Sequence, residues 1–289
     1  MKEPLFKGVC TALVTPFLDG KINYPMMEQL LKRQIESGIQ AVVIAGTTGE
    51  SPTLSDQEKI TLFRRSKEYV GDNCLVIAGT GSNDTSHSIE LSIAAEEAGA
   101  DALLVVSPYY NKATPDGIFL HYLSICHSVS LPVIVYNVPS RTGLDIPVSV
   151  YKMLSRIQNI AGVKEASSDI TKIARIRNAC GPDFSIWSGN DDQIVPVMAL
   201  GGLGVISVLS NAKPVETKTL CDAALNGDFD IASDLQCRLL PLIEALFCEV
   251  NPIPVKAAMK ELGYDCGDCR LPLCKMSSEK HSNLMKLLK

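Results

Sequence analysis

The 289-residue sequence has no surplus of positive charge. Its 27 Lys and Arg stand against 32 Asp and Glu, a net −5, which argues against nucleic acid as the main partner. No uninterrupted apolar run reaches membrane-spanning length, and Met1–Gly8 has no apolar signal core. A cytoplasmic protein without a membrane partner is therefore expected. Histidine is scarce: His87, His121, His127 and His281 are the only four, all in helical or loop segments. With no His/carboxylate cluster, no metal site is expected and metal-assisted enolate chemistry is disfavoured. The ten cysteines lie mostly in apolar strand and helix patterns, where the thiol acts as a small hydrophobe. One cluster, Cys266-Gly-Asp-Cys269 followed by Cys274, lacks a nearby fourth ligand for zinc, so reduced surface thiols are expected there.

What is present is a globular pattern, 46% hydrophobic, with a regular rhythm. Short β-branched apolar runs predict strands at Gly8–Leu13, Ala41–Ala45, Leu75–Gly79, Ala102–Ser107, Val133–Asn137, Ile160–Glu165, Phe184–Ser188 and Gly204–Leu209. Helical spacing fills the intervals. Ser55-Asp-Gln-Glu58 reads as a capping box, Pro147 and Pro214 suit first turns, and Gly38, Gly71 and Gly99 fall where helices should stop. Eight alternating units predict an α/β fold, a (β/α)₈ TIM barrel, over residues 1–225. A doubly wound sheet would not need eight such units, and no GxGxxG opens any of them. Asp228–Phe247, Pro252–Leu262 and Ser278–Leu288 read as a C-terminal three-helix extension over 226–289, with no low-complexity linker before it.

Barrel chemistry sits at the C-terminal ends of strands and in the loops that follow. The second strand is followed by Gly46-Thr47-Thr48-Gly49-Glu50, whose hydroxyls and free amides can grip a carboxylate or simply cap the next helix. The fourth leads into Ser107-Pro-Tyr109-Tyr110-Asn111, where packing or interface roles compete with a pocket role for Tyr110. The fifth ends in Tyr136, followed by a Pro/Gly-bounded loop that mounts Arg141, either solvent-exposed or forked onto a carboxylate. The seventh runs into Gly189-Asn-Asp-Asp192, two acids that argue against a phosphorylated substrate and suit capping of the next helix.

The sixth strand, in "IAGVKEAS", carries Lys164. Strand alternation sends Lys164 and Glu165 to opposite faces, so they are not expected to pair. Lowering a lysine pKa by about three units leaves roughly half of it as free amine near neutral pH, at about 4 kcal/mol. A desolvated amine of that kind attacks ketones to form a Schiff base. The structural alternative is a buried ion pair with an acid from another strand, for which only Asp191 or Asp192 is available.

The ordered set GTTGE, SPYYNK, YNVPSRTG, GVKEAS, SGNDD and GVISV resembles the dihydrodipicolinate synthase family, over essentially the whole chain. That family lies within the pyruvate-dependent, Schiff-base-forming class I aldolase superfamily, which also includes N-acetylneuraminate lyase. The resemblance implies a cytoplasmic lyase that condenses pyruvate with L-aspartate 4-semialdehyde in lysine and diaminopimelate biosynthesis. Lys164 would form the Schiff base, with no separate cofactor. Thr48 and the GTTGE backbone would hold the pyruvate carboxylate. Thr47, Tyr136 and Tyr110 would relay protons, Tyr110 being donated across a dimer interface. Arg141 would receive the carboxylate of the aldehyde, and Gly189 and Ile206 would line the pocket through their backbones. A homotetramer, a dimer of tight dimers, would follow.

One departure from the family pattern stands out. Lysine-inhibited members carry an acid where this sequence has His87, and often histidines where it has Asp56 and Lys59. Weak or absent feedback inhibition by L-lysine is therefore expected. Two other readings stay open: a related pyruvate aldolase acting on a sugar acid or N-acetylneuraminate, and a catalytically silent barrel.

Overall fold

Residues 3–288 are described by the structure, a computed structural model. Eight parallel strands close on themselves: β1 Gly8–Ala12, β2 Ala41–Ile44, β3 Leu75–Gly79, β4 Ala102–Val106, β5 Val133–Asn137, β6 Ile160–Glu165, β7 Ser185–Ser188 and β8 Gly204–Ser207. Each strand pairs with its sequence neighbours, and β1 pairs with both β8 and β2, so no edge is left open. This is the (β/α)₈ barrel that the hydrophobic rhythm predicts. The strands match the expected runs to within two residues at either end.

The alternation of each strand sorts its side chains into two cores. Residues such as Val42, Val76, Leu103 and Val135 face outward into one large cluster shared with the surrounding helices. Cys10, Val43, Ile77, Leu104, Ile134, Tyr136, Trp187 and Ile206 face inward and fill the barrel. Trp187 is fully buried there, stacked on Phe6 at 4.8 Å between ring centroids, and its indole N–H donates to the Phe6 carbonyl at 3.3 Å.

Local signals behave as their chemistry requires. Ser55 accepts from the Glu58 amide while Glu58 accepts from the Ser55 amide, a complete capping box for helix Asp56–Val70. That helix stops at Gly71, whose φ of 55° a side chain would resist. Pro214 opens helix Pro214–Leu225, whereas Pro147 is the N-cap of helix Val148–Leu154 rather than part of its first turn. A two-stranded hairpin, Phe17–Leu18 with Lys21–Ile22, forms within the connection after β1 and was not expected.

The final helices are Phe229–Leu246, Ile253–Glu261 and Ser278–Leu288. Leu242, Leu246, Val255, Met259, Leu284 and Leu288 belong to the same outer core as the barrel strands. The segment following Glu261 runs back over the barrel. Cys266 carbonyl accepts from the Phe17 amide at 2.9 Å, and the Arg270 guanidinium lies 4.4 Å from the Phe17 ring centroid. Cys266 is consequently buried and Cys269 half-buried, and only Cys274 of that cluster is a surface thiol. The expectation of three surface thiols fails because residues 264–270 pack inward instead of forming a peripheral loop. Burial pushes the Cys266 and Cys269 thiols up to about 12. Among the described residues no helix is long and apolar enough to cross a membrane.

Candidate active site

The orientation of Lys164 depends on an irregularity in β6. Along the β5–β6 pair, Val133 is registered with Ile160 but Ile134 with Gly162, so Ala161 is an extra residue, a β-bulge. Ile160 faces the outer core. Counting by twos from Ile160 would send Lys164 outward with it. The bulge reverses the count, and Lys164 lands opposite the inward-facing Tyr136 and Trp187 on its two flanking strands. Its Nζ lies 4.3 Å from the centroid of the Tyr136 ring, and the residue is 5% exposed.

Glu165 points the other way and is fully occupied. It accepts from Asn137 Nδ2 at 2.7 Å, from the Tyr151 hydroxyl at 2.9 Å and from the Ser167 amide at 2.9 Å, with Lys172 at 3.8 Å. Burial, aided by the adjacent Glu165 charge, pushes the Tyr151 phenol well above its ordinary value, so it remains a donor. Pairing between Lys164 and Glu165 is thereby excluded, as the strand alternation predicts.

The remaining structural alternative for Lys164 was Asp191 or Asp192. Asp191 is 2% exposed, and its Oδ2 accepts from the Val208 and Leu209 amides, both at 2.9 Å. It thus caps the helical turn after β8, not the helix following its own strand as the sequence suggests. Burial pushes the Asp191 carboxyl up, while the two amides and the charge of Lys164 pull it down. It makes no ion pair with the lysine, and among the described residues Lys164 has no ion-pair partner.

A cavity of about 790 Å³ opens at the C-terminal mouth of the barrel; Lys164 is not among its lining residues, but Tyr136, whose ring the lysine lies against, is. Thr47, Tyr136 and Arg141 line it, as the sequence anticipates, and Tyr109 does too. Arg141 sits in the short helix Pro139–Thr142, with an exposed guanidinium that has no ion-pair partner among the described residues. Tyr136 is 6% exposed, and its hydroxyl has no hydrogen-bond partner among the described residues. Gly189, just past β7, donates its amide to the Glu165 carbonyl at 2.8 Å. A Cβ there would sit 2.6 Å from that of Ala166, so only glycine lets the two strand ends approach. Ile206 belongs to the inner core beside Trp187.

Thr48 and Tyr110, also expected at the site, do not line this cavity. Thr48 is buried, and its hydroxyl accepts from Asn251 Nδ2 at 2.9 Å. Tyr110 is 90% exposed, with a φ of 70°, and does not line the cavity of its own chain. Asn251 and Tyr109 are the contributors that sequence reasoning missed. Asn251 lies 203 residues from Thr48 and carries no local signal of the contact. Tyr109 reads from the sequence as a packing or interface residue, the usual role of adjacent loop tyrosines.

The outer part of the same cavity holds His87, Asp56 and Lys59. His87 Nε2 lies 3.0 Å from the Asp56 carboxylate, its Nδ1 3.3 Å from Ser82 Oγ, and Lys59 Nζ 3.6 Å from Asp56. The one carboxylate here is therefore already engaged by two cationic or proton-donating side chains. Among the described residues, no group of three or more His, Cys, Asp or Glu is arranged to hold a metal ion.

Together these residues set a buried lysine, without an ion-pair partner among the described residues, against a tyrosine ring, with threonine, tyrosine and arginine at the neighbouring strand ends. A model of the dihydrodipicolinate synthetase family matches residues 5–289. The chain belongs to that family. It is 46% identical over 289 residues to the 4-hydroxy-tetrahydrodipicolinate synthase of Acetivibrio thermocellus, covering 100% of this chain and 98% of that one. Identity to the enzyme of the same name from Caldicellulosiruptor saccharolyticus is 48% over 286 residues, covering 99% and 97%. A crystal structure of dihydrodipicolinate synthase from Aquifex aeolicus superposes with a TM-score of 0.96 at 41% identity, covering 98% and 97% of the two chains. The family match thus spans the barrel and the C-terminal helices alike.

Proposed function

We propose that this protein is a 4-hydroxy-tetrahydrodipicolinate synthase, a class I lyase that condenses pyruvate with L-aspartate 4-semialdehyde for lysine and diaminopimelate biosynthesis. The observation that carries the reading is Lys164, buried without an ion-pair partner among the described residues and held against the ring of Tyr136, which lines the open cavity. Full-length identity of 46–48% to synthases of that name supports it.

The chemistry follows from the groups present. The Lys164 amine attacks the C2 ketone of pyruvate, water leaves, and a protonated imine forms. That iminium is the electron sink, so no separate cofactor is needed. The pyruvate methyl group loses a proton and the resulting enamine attacks the aldehyde carbon, forming the new C–C bond. The amino group of the former semialdehyde then attacks C2, closes the ring and releases Lys164 as the free amine.

Each step moves a proton over a short distance. Thr47 and Tyr136 both reach the cavity and serve as relay groups. Tyr110 completes the relay from a second subunit, a role its 90% exposure leaves it free to take. Thr48 and the turn amides hold the pyruvate carboxylate, and Arg141 forks onto the carboxylate of the aldehyde. Gly189 and Ile206 shape the wall beside the lysine. The working assembly is a homotetramer built from dimers that share Tyr110.

Borohydride reduction in the presence of pyruvate, read by intact mass, tests the reading. A single reduced pyruvyl adduct is expected on the protein and none on Lys164→Ala. An unlabelled protein, or equal labelling of the variant, overturns the Schiff-base assignment. Faster turnover of sugar acids or N-acetylneuraminate than of aspartate semialdehyde would instead assign the other aldolase activity.

A further inference from the structure

The chain closes its substrate-binding turn from the far end. Asn251, which precedes helix Ile253–Glu261, is 5% exposed and donates Nδ2–H to Thr48 Oγ1 at 2.9 Å. The amide oxygen of Asn251 is buried without a hydrogen-bond partner among the described residues. The side chain's hydrogen bonding to the barrel therefore runs through Thr48.

The same turn is gripped a second time two residues on. Glu50 adopts a left-handed φ of 59° and is 2% exposed. Its Oε1 meets Lys256 Nζ at 2.8 Å, and its Oε2 accepts from the Arg270 amide at 2.8 Å. Two residues of the GTTGE turn are thus held by three from the C-terminal segment.

A threonine hydroxyl has one proton to give and two lone pairs to accept with. With Asn251 donating into one lone pair, the proton of Thr48 must go elsewhere, and no protein acceptor takes it among the described residues. We propose that Asn251 is a positioning residue: its amide commits the Thr48 hydroxyl to act as a donor, aimed at the carboxylate of the bound 2-oxo acid. The proposal deepens the functional reading above and rests on it.

Asn251→Asp is the informative variant. A carboxylate can only accept, so it captures the Thr48 proton and sets a like charge beside the substrate carboxylate. The KM for pyruvate is expected to rise about 10- to 100-fold, the loss of one charge-assisted hydrogen bond. The kcat at saturating pyruvate and the KM for the aldehyde should move less than about threefold. On a Thr48→Val background Asn251→Ala, which adds no charge, should add little, because the hydroxyl through which the amide acts is gone.

Asn251→Ala removes the donor without adding charge, and about a three- to tenfold rise is expected should the aspartate variant not fold. An unchanged pyruvate KM in a folded variant overturns the proposal, as does a full-sized effect of Asn251→Ala in the absence of the Thr48 hydroxyl. Borohydride labelling of the unaltered enzyme separates the two layers. No pyruvyl adduct there ends the functional reading and this role with it, whereas an adduct together with an unmoved KM in the variants ends the role of Asn251 alone.

Discussion

Lys164 Nζ sits 4.3 Å above the Tyr136 ring, with the two residues in register on adjacent strands. The ring face offers partial negative charge without a proton acceptor. A cation is thus tolerated before reaction, and the amine is not tied up in a hydrogen bond. A carboxylate in the same place would hold the lysine charged.

That environment makes a prediction about stability. Because Lys164 has no ion-pair partner among the described residues, replacing it breaks no direct pair, and the buried Asp191, whose carboxyl its charge helps hold down, keeps its two backbone amides. Lys164→Met should abolish activity, by more than about a thousandfold, yet show a thermal midpoint equal to or above that of the unaltered protein. A large drop in the midpoint by calorimetry would mean that the lysine has a structural partner.

Arg141 should discriminate between the two substrates. Removing its guanidinium in Arg141→Ala costs a charge-assisted hydrogen bond to the second carboxylate, about 1.5–3 kcal/mol. The KM for L-aspartate 4-semialdehyde should therefore rise roughly 10- to 100-fold, with pyruvate labelling by borohydride still intact. Equal losses for both substrates would place Arg141 at the pyruvate end.

Feedback by L-lysine should be weak. Among the described residues the one carboxylate lining the outer cavity, Asp56, is engaged by His87 at 3.0 Å and Lys59 at 3.6 Å. An incoming ammonium would have to displace both. Half-inhibition above several millimolar is expected by extrapolation from an exposed pair of this strength, worth about 1 kcal/mol or less, together with like-charge repulsion from Lys59. His87→Glu should increase sensitivity, and sub-millimolar inhibition of the unaltered enzyme would contradict the charge argument.

The Glu58–Arg270 pair gives the fold an acid-sensitive latch. Arg270 donates to both Glu58 oxygens, at 2.9 and 2.6 Å, and holds the carboxyl at about 2, with the Ser55 amide also pulling it down and burial opposing. A depressed carboxyl stabilises the folded state above its unfolded value and ceases to do so as pH falls through the folded one. The stability gap between the unaltered protein and Glu58→Gln should be full at pH 6–7. It should shrink from about pH 4.5 downward and vanish near pH 2. Urea titrations across that range check the slope, and a gap independent of pH would dissociate Glu58 from the latch.

Much of this was readable in advance, and the exceptions have definite causes. The eight strands announced themselves because each is buried on both faces, which forces continuous β-branched runs. Lys164, Tyr136, Thr47 and Arg141 were readable because each interrupts apolar or Pro/Gly-bounded sequence at a strand end. Asp191 was assigned to the wrong helix, because capping looks local in sequence while its amides lie 17 and 18 residues away. The Asn251–Thr48 contact and the burial of Cys266 are tertiary, set by how the chain returns over the barrel mouth. The hairpin at Phe17–Leu18 was too short for periodicity to register.

The bulge at Ala161 makes the placement of the nucleophile a matter of counting. Ala161 and Val163 can be exchanged for side chains of similar bulk while the amine keeps its inward face, whereas Gly162 cannot, because a Cβ there would collide with the Ser185 carbonyl. Losing or gaining a single residue there would turn it toward the helices and bring its neighbour's carboxylate inward. The strand should therefore tolerate spelling changes and reject changes of length. Among the site's components, the reactive group is the one encoded by parity.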